Sequence, residues 1–419
     1  MLTKDENELL TRVGPGTSMG ALFRCFWLPA LLVSELPEPD GPPMRVRLLG
    51  EDLVAFRDTA GRVGLLAANC AHRGASLFFG RNEGHGLRCV YHGWKYDVEG
   101  RCVDMPNEPP ETSFADKIHP TAYPCVERGG IIWAYLGIGS RPTPDFPALE
   151  WARVPAGHVY VHKRFQDCNY LQNLEGEVDS SHISFLHRRF SPDTTIAGQQ
   201  LLNRARDGAP RFSVTPTDYG LLIAANRRWD DEHDYSRITQ FLAPSYTMIP
   251  AEPGHSISFT AAIPADDYTT WGYTVSWRPD RPLEPEDVAR IETWTGIYAE
   301  VDPTSFMPLA NRANDYLIDR AKQSTESFTG IRGIREQDLA VQEGMGPIYQ
   351  RNREHLGAAD AGVVATRDYL LRTVRELETG IVPQAAVAAE AYAVRSAALV
   401  IERGAPPLEA ARAVTAVNS

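Results

Sequence analysis

Cys70-Ala-His72-Arg-Gly-Ala75 and Cys89-Val-Tyr-His92-Gly-Trp94, with sixteen residues between His72 and Cys89, are the segments on which the fold of this 419-residue chain turns. Each offers one thiolate and one imidazole. Two such loops facing one another can place both cysteines on one metal and both histidines on a second, which is the donor set of a two-iron, two-sulfide cluster. Two ferric ions then balance two sulfides and two thiolates, so the oxidised core is formally neutral and accepts an electron more easily than an all-cysteine core. A tetrahedral zinc site uses the same residue types, but zinc motifs usually pair like with like, as Cys-x2-Cys or His-x3-His. Gly74 and Gly93, just past the histidines, would let backbone N–H groups approach the sulfurs. The other four cysteines, Cys25, Cys102, Cys125 and Cys168, are scattered and suggest no disulfide framework.

Working outward, short β-type runs at Arg45 to Leu49, Asp52 to Arg57 and Arg62 to Ala67 precede the first loop, and a hairpin from Tyr96 to Val103 follows the second. After the apolar strand Ile131 to Leu136, the Pro- and Gly-rich stretch Gly137 to Pro147 reads as a boundary. These patterns predict a small antiparallel β domain over 1–150, including an N-terminal helical segment from Asp5 to Val13. Over 151–419 a strand at His158 to Phe165 leads to Asn169, a candidate helix N-cap. Strands are expected at Arg211 to Val214, Leu221 to Arg227, Ser236 to Ile249, Ser256 to Ile263 and Thr269 to Trp277. Helices are expected at Glu284 to Glu300, Asp338 to His355, Gly362 to Glu378 and Gln384 to Arg403. The fold class is therefore α+β, a small β domain followed by an antiparallel sheet flanked by helices.

The helix expected after Asn169 carries a second cluster, Asn173-Leu-Glu-Gly-Glu-Val-Asp-Ser-Ser-His-Ile-Ser-Phe-Leu-His187. Two histidines and one carboxylate leave coordination positions open, the arrangement that suits non-haem iron(II) and dioxygen. Glu175, Glu177 and Asp179 are all local carboxylates. At about 100° per residue, His182 and His187 would lie roughly 140° apart on an unbroken helix, so a helix end or bulge is expected between them.

Taken together the two clusters resemble the Rieske family, and its oxygenase branch in particular. Respiratory Rieske proteins carry an extra cysteine in each loop, where Ala75 and Tyr91 stand here. The oxygenase pattern acid-x3-Asp-x2-His-x4-His matches Glu175, Asp179, His182 and His187. Further stretches, Gly50 to Arg57, Arg73 to Asn82, Cys89 to Asp97 and Gln337 to Gly346, resemble the oxygenase components of phthalate 4,5-dioxygenase and its relatives. The resemblance implies a Rieske [2Fe-2S] cluster on Cys70, His72, Cys89 and His92, and a catalytic domain of helix-grip type. It also implies a mononuclear Fe(II) on His182, His187 and Asp338, with Glu343 and Asp360 as competitors for the third place. Asp179 would be a catalytic bridge between His182 and His92 of a neighbouring copy, which implies a homotrimer or a multiple of it; Glu175 is left without a role.

The implied activity is that of a terminal oxygenase. Electrons from NAD(P)H arrive through a reductase with a flavin and a ferredoxin-type donor, and dioxygen is inserted into an aromatic substrate. An aromatic carboxylate such as a phthalate, cis-dihydroxylated, is the first expectation, and O-demethylation or another monooxygenation is the alternative. A buried carboxylate needs a cation, and Arg204, Arg206 and Arg237, with Arg227 and Arg228 nearby, are candidates. The rival from a different class is a Rieske electron carrier without mononuclear iron. A formal net charge of -12 argues against nucleic acid or anionic membranes as partners. No apolar run nears the roughly 20 residues of a membrane span, and the acidic N-terminus is unlike a signal peptide, which places the expectation in the cytoplasm. Arg73, Arg81, Arg88 and Lys95 could still form a local basic patch for the reductase.

Overall fold

The computed structural model describes residues 1–137, 142–190, 207–251, 255–292 and 298–417. Two compact units emerge, Val13–Pro144 and a larger one made of Met1–Arg12 with Asp145–Ser419. The first helix, Lys4–Thr11, packs with the larger unit: Asn7 Nδ2 donates to Tyr349 O at 3.1 Å, and Tyr170 Oη to Leu10 O at 2.8 Å.

The smaller unit is built from three antiparallel sheets. β1 (Trp27–Leu32) pairs with β10 (Ile131–Tyr135), which pairs with β9 (Cys125–Arg128). A meander of β2 (Met44–Leu48), β3 (Glu51–Arg57) and β4 (Val63–Ala67) follows the expected strands within a residue. Four short strands, β5 (Arg81–Glu83), β6 (Gly86–Arg88), β7 (Lys95–Tyr96) and β8 (Cys102–Asp104), carry the second cysteine loop. Cys70 and Cys89 sit inside this unit's core with Phe56, Leu77, Trp94 and Tyr96.

In the larger unit the described residues form one eight-stranded antiparallel sheet. Its order is β11 (Val159–Gln166), β17 (Thr270–Trp277), β16 (Ile257–Pro264), β15 (Tyr246–Ile249), β14 (His233–Leu242), β13 (Gly220–Arg228) and β12 (Arg211–Thr217). β18 (Ala397–Glu402) adds to β14. The helix Tyr170–Val178 lies over β14–β16, and the helices Ile334–Gly344 and Ala361–Glu378 pack against it. No helix among the described residues is long and apolar enough to cross a membrane.

The structure departs from the pattern of the sequence in four places. The strand expected over Ser236 to Ile249 is two strands, because Pro244 has no N–H to give the ladder. The helix expected over Asp338 to His355 begins earlier, at Ile334, and stops at Gly344; Gly346, at φ 90°, and Pro347 prevent its continuation. Of Glu284 to Glu300, Pro285–Glu292 is helical, 293–297 lie outside the described residues, and 298–300 are irregular. Gln384 to Arg403 keeps two short helical turns, Gln384–Val387 and a 3₁₀ turn at Ala389–Tyr392, and then turns back as β18, because six residues of β14 stand open to pair with it.

Candidate functional site

The two cysteine loops of the smaller unit repeat one hydrogen-bond pattern. Cys70 N donates to Ala75 O and Gly74 N to Cys70 O; Cys89 N donates to Trp94 O and Gly93 N to Cys89 O, all at 2.8–3.0 Å. Gly74 and Gly93 have φ of 71° and 81°, which a side chain would strain. Their own N–H groups close these turns, and the backbone amides of Tyr91 and His92 are the ones that approach the Cys89 sulfur. Both cysteines are buried, whereas His72 and His92 are half-buried with ring centroids 4.5 Å apart. The Nδ1 atoms of His72 and His92 are buried and have no hydrogen-bond partner among the described residues. Two inward lone pairs beside two buried sulfurs fit a two-metal cluster with its cysteine iron inside and its histidine iron outside. Burial pushes the Cys89 thiol up. Tyr96 Oη lies 3.1 Å from Cys70 Sγ, placed to donate to a thiolate there.

In the larger unit, Asn169 caps the helix Tyr170–Val178 by accepting from Leu171 N, and the helix ends where Asp179 turns extended. A single 3₁₀ turn, His182–Ser184, follows. This break brings both histidines round to one point. His182 Nε2 and His187 Nε2 are 3.2 Å apart, and Asp338 Oδ1 lies 3.3 Å from His187 Nε2 and 3.7 Å from His182 Nε2. Donors about 2.1 Å from one metal and at right angles are about 3 Å apart, so this triangle has the size of one face of a coordination shell. Two ring nitrogens facing each other cannot both carry protons, and a cation between them is what such a face fits.

Each of the three groups is also held from behind. His182 Nδ1 faces Asp179 Oδ2 at 3.2 Å, while Asp179 Oδ1 accepts from Ser181 N and Oγ at 2.6 and 2.7 Å. His187 Nδ1 is 2.7 Å from Gln337 Oε1. Arg335 lies 3.5 Å from Asp338 Oδ2 and pairs closely with Glu177, which in turn stands 4.0 Å from Arg164. Burial works to raise the Asp338 carboxyl, but His187, Arg335 and His182 outweigh it and hold it at about 2. Burial works to lower His182, and Asp179 and Asp338 overcome it in the other direction.

The competing carboxylates are occupied elsewhere. Glu343 accepts from Asp167 N at 3.0 Å and from Tyr316 Oη, and Asp360 from Gly357 N at 2.6 Å. Glu175 is bound by Arg351 at 2.7 and 2.8 Å and by Arg367 at 2.6 Å, a buried network that also ties Arg367 to Glu354.

A cavity of about 570 Å³ borders His187 and Gln337, and Arg189, Lys322 and Arg332 are among its walls. Of the arginines expected from the sequence, Arg204 and Arg206 lie outside the described residues. Arg237 is buried on the sheet face it shares with Ala225 and Arg227, and does not line this cavity. Arg227 donates to Ser180 O and Ser184 Oγ, bracing the turn that carries His182. Gln337, Arg335 and the three cavity cations were not found by sequence reasoning. Only the proximity of Gln337 and Arg335 to Asp338 in the chain could have signalled the first two. The expected basic patch on the smaller unit is largely engaged: Arg81 and Arg88 pair with Glu83, Arg88 also with Asp104, and Lys95 donates to Gly84 O.

Comparison with known families gives two matches, a Rieske [2Fe-2S] domain over residues 26–121 and a LigXa C-terminal domain-like region over 134–406. The 3-chlorobenzoate-3,4-dioxygenase oxygenase subunit of Comamonas testosteroni is 40% identical over 93% of this chain and 93% of its own. The phthalate 4,5-dioxygenase oxygenase subunit of Pseudomonas putida is 39% identical over 91% of this chain and 88% of its own. The 5,5'-dehydrodivanillate O-demethylase oxygenase subunit of a Sphingobium species is 30% identical over 92% and 84%.

Proposed function

This chain belongs to the Rieske oxygenases, and from that membership we propose that its substrate is an aromatic carboxylate such as a phthalate, converted by cis-dihydroxylation. It is the terminal oxygenase component of such a system, an oxidoreductase that carries a [2Fe-2S] cluster and a mononuclear iron. In the proposed assignment Cys70, His72, Cys89 and His92 hold the cluster, and His182, His187 and Asp338 hold the iron. Bound there, these groups supply single electrons and an open-sided Fe(II) at which dioxygen is activated. In the overall reaction one arene, one dioxygen, one NAD(P)H and one proton give one cis-diol and NAD(P)⁺.

The observation that carries the substrate class is the cavity beside His187, whose walls hold three cations, Arg189, Lys322 and Arg332, against two carboxylates, Asp319 and Glu326, the second of them paired with Lys322. A carboxylate taken out of water needs a charged partner, and a guanidinium can bind it through two parallel hydrogen bonds. Cations at the wall of a cavity that reaches His187 would hold the acid group while the ring is presented toward the triad. The 3-chlorobenzoate and phthalate relatives support the same class.

Asp179 is the proposed electron bridge. Ser181 pins one of its oxygens and the other faces His182 Nδ1, so the carboxylate cannot swing away from the ring. Its role in passing electrons from His92 of a neighbouring copy requires a ring of subunits, most simply a homotrimer. The electrons come from a separate flavin- and ferredoxin-type reductase.

The test is product analysis with a competent reductase against phthalates, benzoates and methoxylated aromatics. Cis-diols from the unmethylated acids support the proposal. Formaldehyde from the methoxylated compounds, with no diol from any acid, would favour the second reading, O-demethylation, which the dehydrodivanillate relative supports. His182→Ala should abolish turnover and lower total iron from about three to about two per chain; turnover surviving that change would sink the assignment.

A further inference from the structure

We infer that Gln337 is a positioning residue that fixes the ring and the tautomer of His187, and that the two histidines of the triad are backed by groups of different charge. The inference rests on the reading that His182, His187 and Asp338 hold a metal. Gln337 and His187 are both buried, and Gln337 Oε1 lies 2.7 Å from His187 Nδ1. The other end of the same amide donates from Nε2 to Ile331 O at 2.9 Å.

This second bond decides the first. Turning the amide over would set its oxygen against the Ile331 carbonyl oxygen, two acceptors with no proton between them. With Oε1 facing the ring, the only consistent arrangement has Nδ1–H donating to Gln337. The Nε2 lone pair is then left free, pointing at His182 Nε2 and Asp338 Oδ1. A neutral imidazole in that tautomer is the form a metal binds.

His182 is held differently. Its Nδ1 faces the carboxylate of Asp179 at 3.2 Å, and an anion behind a ring raises the basicity of the opposite nitrogen more than a neutral amide does. His182 is therefore the stronger donor of the pair, and His187 the weaker one, oriented without added charge. Gln337 and His187 border the 570 Å³ cavity, whereas His182 and Asp338 border a different one of about 470 Å³, so the two donors face different spaces. Gln337 and Asp338 are adjacent on the helix Ile334–Gly344, so a single helical turn supplies one ligand and orients another.

The experiment uses the full chain, freed of its mononuclear iron and carrying histidine labelled with nitrogen-15. NMR reads the His187 tautomer, and Co(II) titration against a chelator reads metal affinity. Gln337→Met, similar in size but without the strong acceptor, should move His187 toward the Nε2–H form and weaken Co(II) by about 10–100-fold. Gln337→Glu keeps an acceptor facing Nδ1 and, with its other oxygen protonated to donate to Ile331 O in place of the lost amide N–H, should retain the Nδ1–H form, which decides the matter even if the Met variant does not fold. A Met variant with wild-type tautomer and affinity overturns the inference, as does a Glu variant that loses the Nδ1–H form. If wild-type protein takes up no Co(II), or His182→Ala takes it up as tightly, the metal-site reading falls and the inference with it.

Discussion

Removing the charge of Glu177 isolates what the buried ion pairs behind the triad contribute. Its side chain is 7% exposed, and its partners Arg335 and Arg164 are 3% and 1% exposed. In Glu177→Gln, Arg335 keeps Asp338 Oδ2 at 3.5 Å and Arg164 keeps Thr274 Oγ1 at 3.0 Å, but both guanidiniums lose their nearest anion. Burial and the Arg335 charge already pull Arg164 down to about 9, with Glu177 and Asp338 opposing them. Breaking a buried pair by removing one partner costs about 3–5 kcal/mol. Glutamine keeps the shape and an acceptor, which places the expected loss at the lower end, about 3 kcal/mol or roughly a 160-fold shift in the unfolding equilibrium. At about 2–4 °C per kcal/mol, the unfolding midpoint of the larger unit should fall by about 6–12 °C. The control is Glu326→Gln, whose pairing with Lys322 at 3.9 Å is more than half exposed and should matter by less than about 1 kcal/mol. Urea and thermal unfolding followed by circular dichroism read both. A Glu177→Gln protein within about 0.5 kcal/mol of wild type would refute the reasoning, since that is the range of an ordinary surface change.

Three further outcomes are expected. Burial and the neighbouring Arg164 push His162 from 6.5 down to about 4, so the unfolded chain takes up this proton first as the pH falls. The stability it contributes is complete above pH 6.5 and is lost between there and about 4, by about 3 kcal/mol at most; His162→Gln should flatten that limb of a stability-against-pH curve. Glu175 runs the same way for a carboxyl: burial opposes, but Arg351 and Arg367 win and lower it. Its contribution is present above the ordinary 4.5 and disappears as the pH falls through the folded value, so Glu175→Gln should lower stability at neutral pH and remove part of the acid limb. Tyr96→Phe removes a donor to Cys70 Sγ and should lower the cluster's reduction potential; a bond about 1 kcal/mol stronger in the reduced state corresponds to roughly 40 mV, read by spectroelectrochemistry.

The parts of the molecule governed by local rules were legible in the sequence. The strands β2 to β4 and the helix Tyr170–Val178 appear where period and capping put them, because alternation and an Asn cap act within a few residues. Helix geometry alone ruled out an unbroken helix through His182 and His187, but the helix ends at Val178, ahead of both, rather than between them, and a 3₁₀ turn carries His182. What stayed hidden depends on contacts across long stretches of chain. Gln384 to Arg403 has a helical composition, yet Ala397–Glu402 is a strand because β14 offers it a ladder. Gln337 is one more polar residue on an amphipathic helix until His187, 150 residues earlier, is placed beside it. The cavity cations Arg189, Lys322 and Arg332 have no spacing rule that would distinguish them from other surface cations.

β14 has consequences for how the protein is made. One edge serves two strands, with Gln240 to Leu242 pairing with β15 and His233 to Ile238 with β18. β15 arrives from the ribosome a few residues after β14, whereas the pairing of His233 with Glu402 must wait for nearly the whole chain. Until then the six-residue segment His233–Ile238 of a central strand has one edge bare, with alternate N–H and C=O groups unpaired along it. Loop closure over so long a separation is slow, and an unpaired edge invites other chains. Nascent or C-terminally clipped protein should therefore associate through β14, and holding β18 in place matters as much for production of this oxygenase as for its finished sheet.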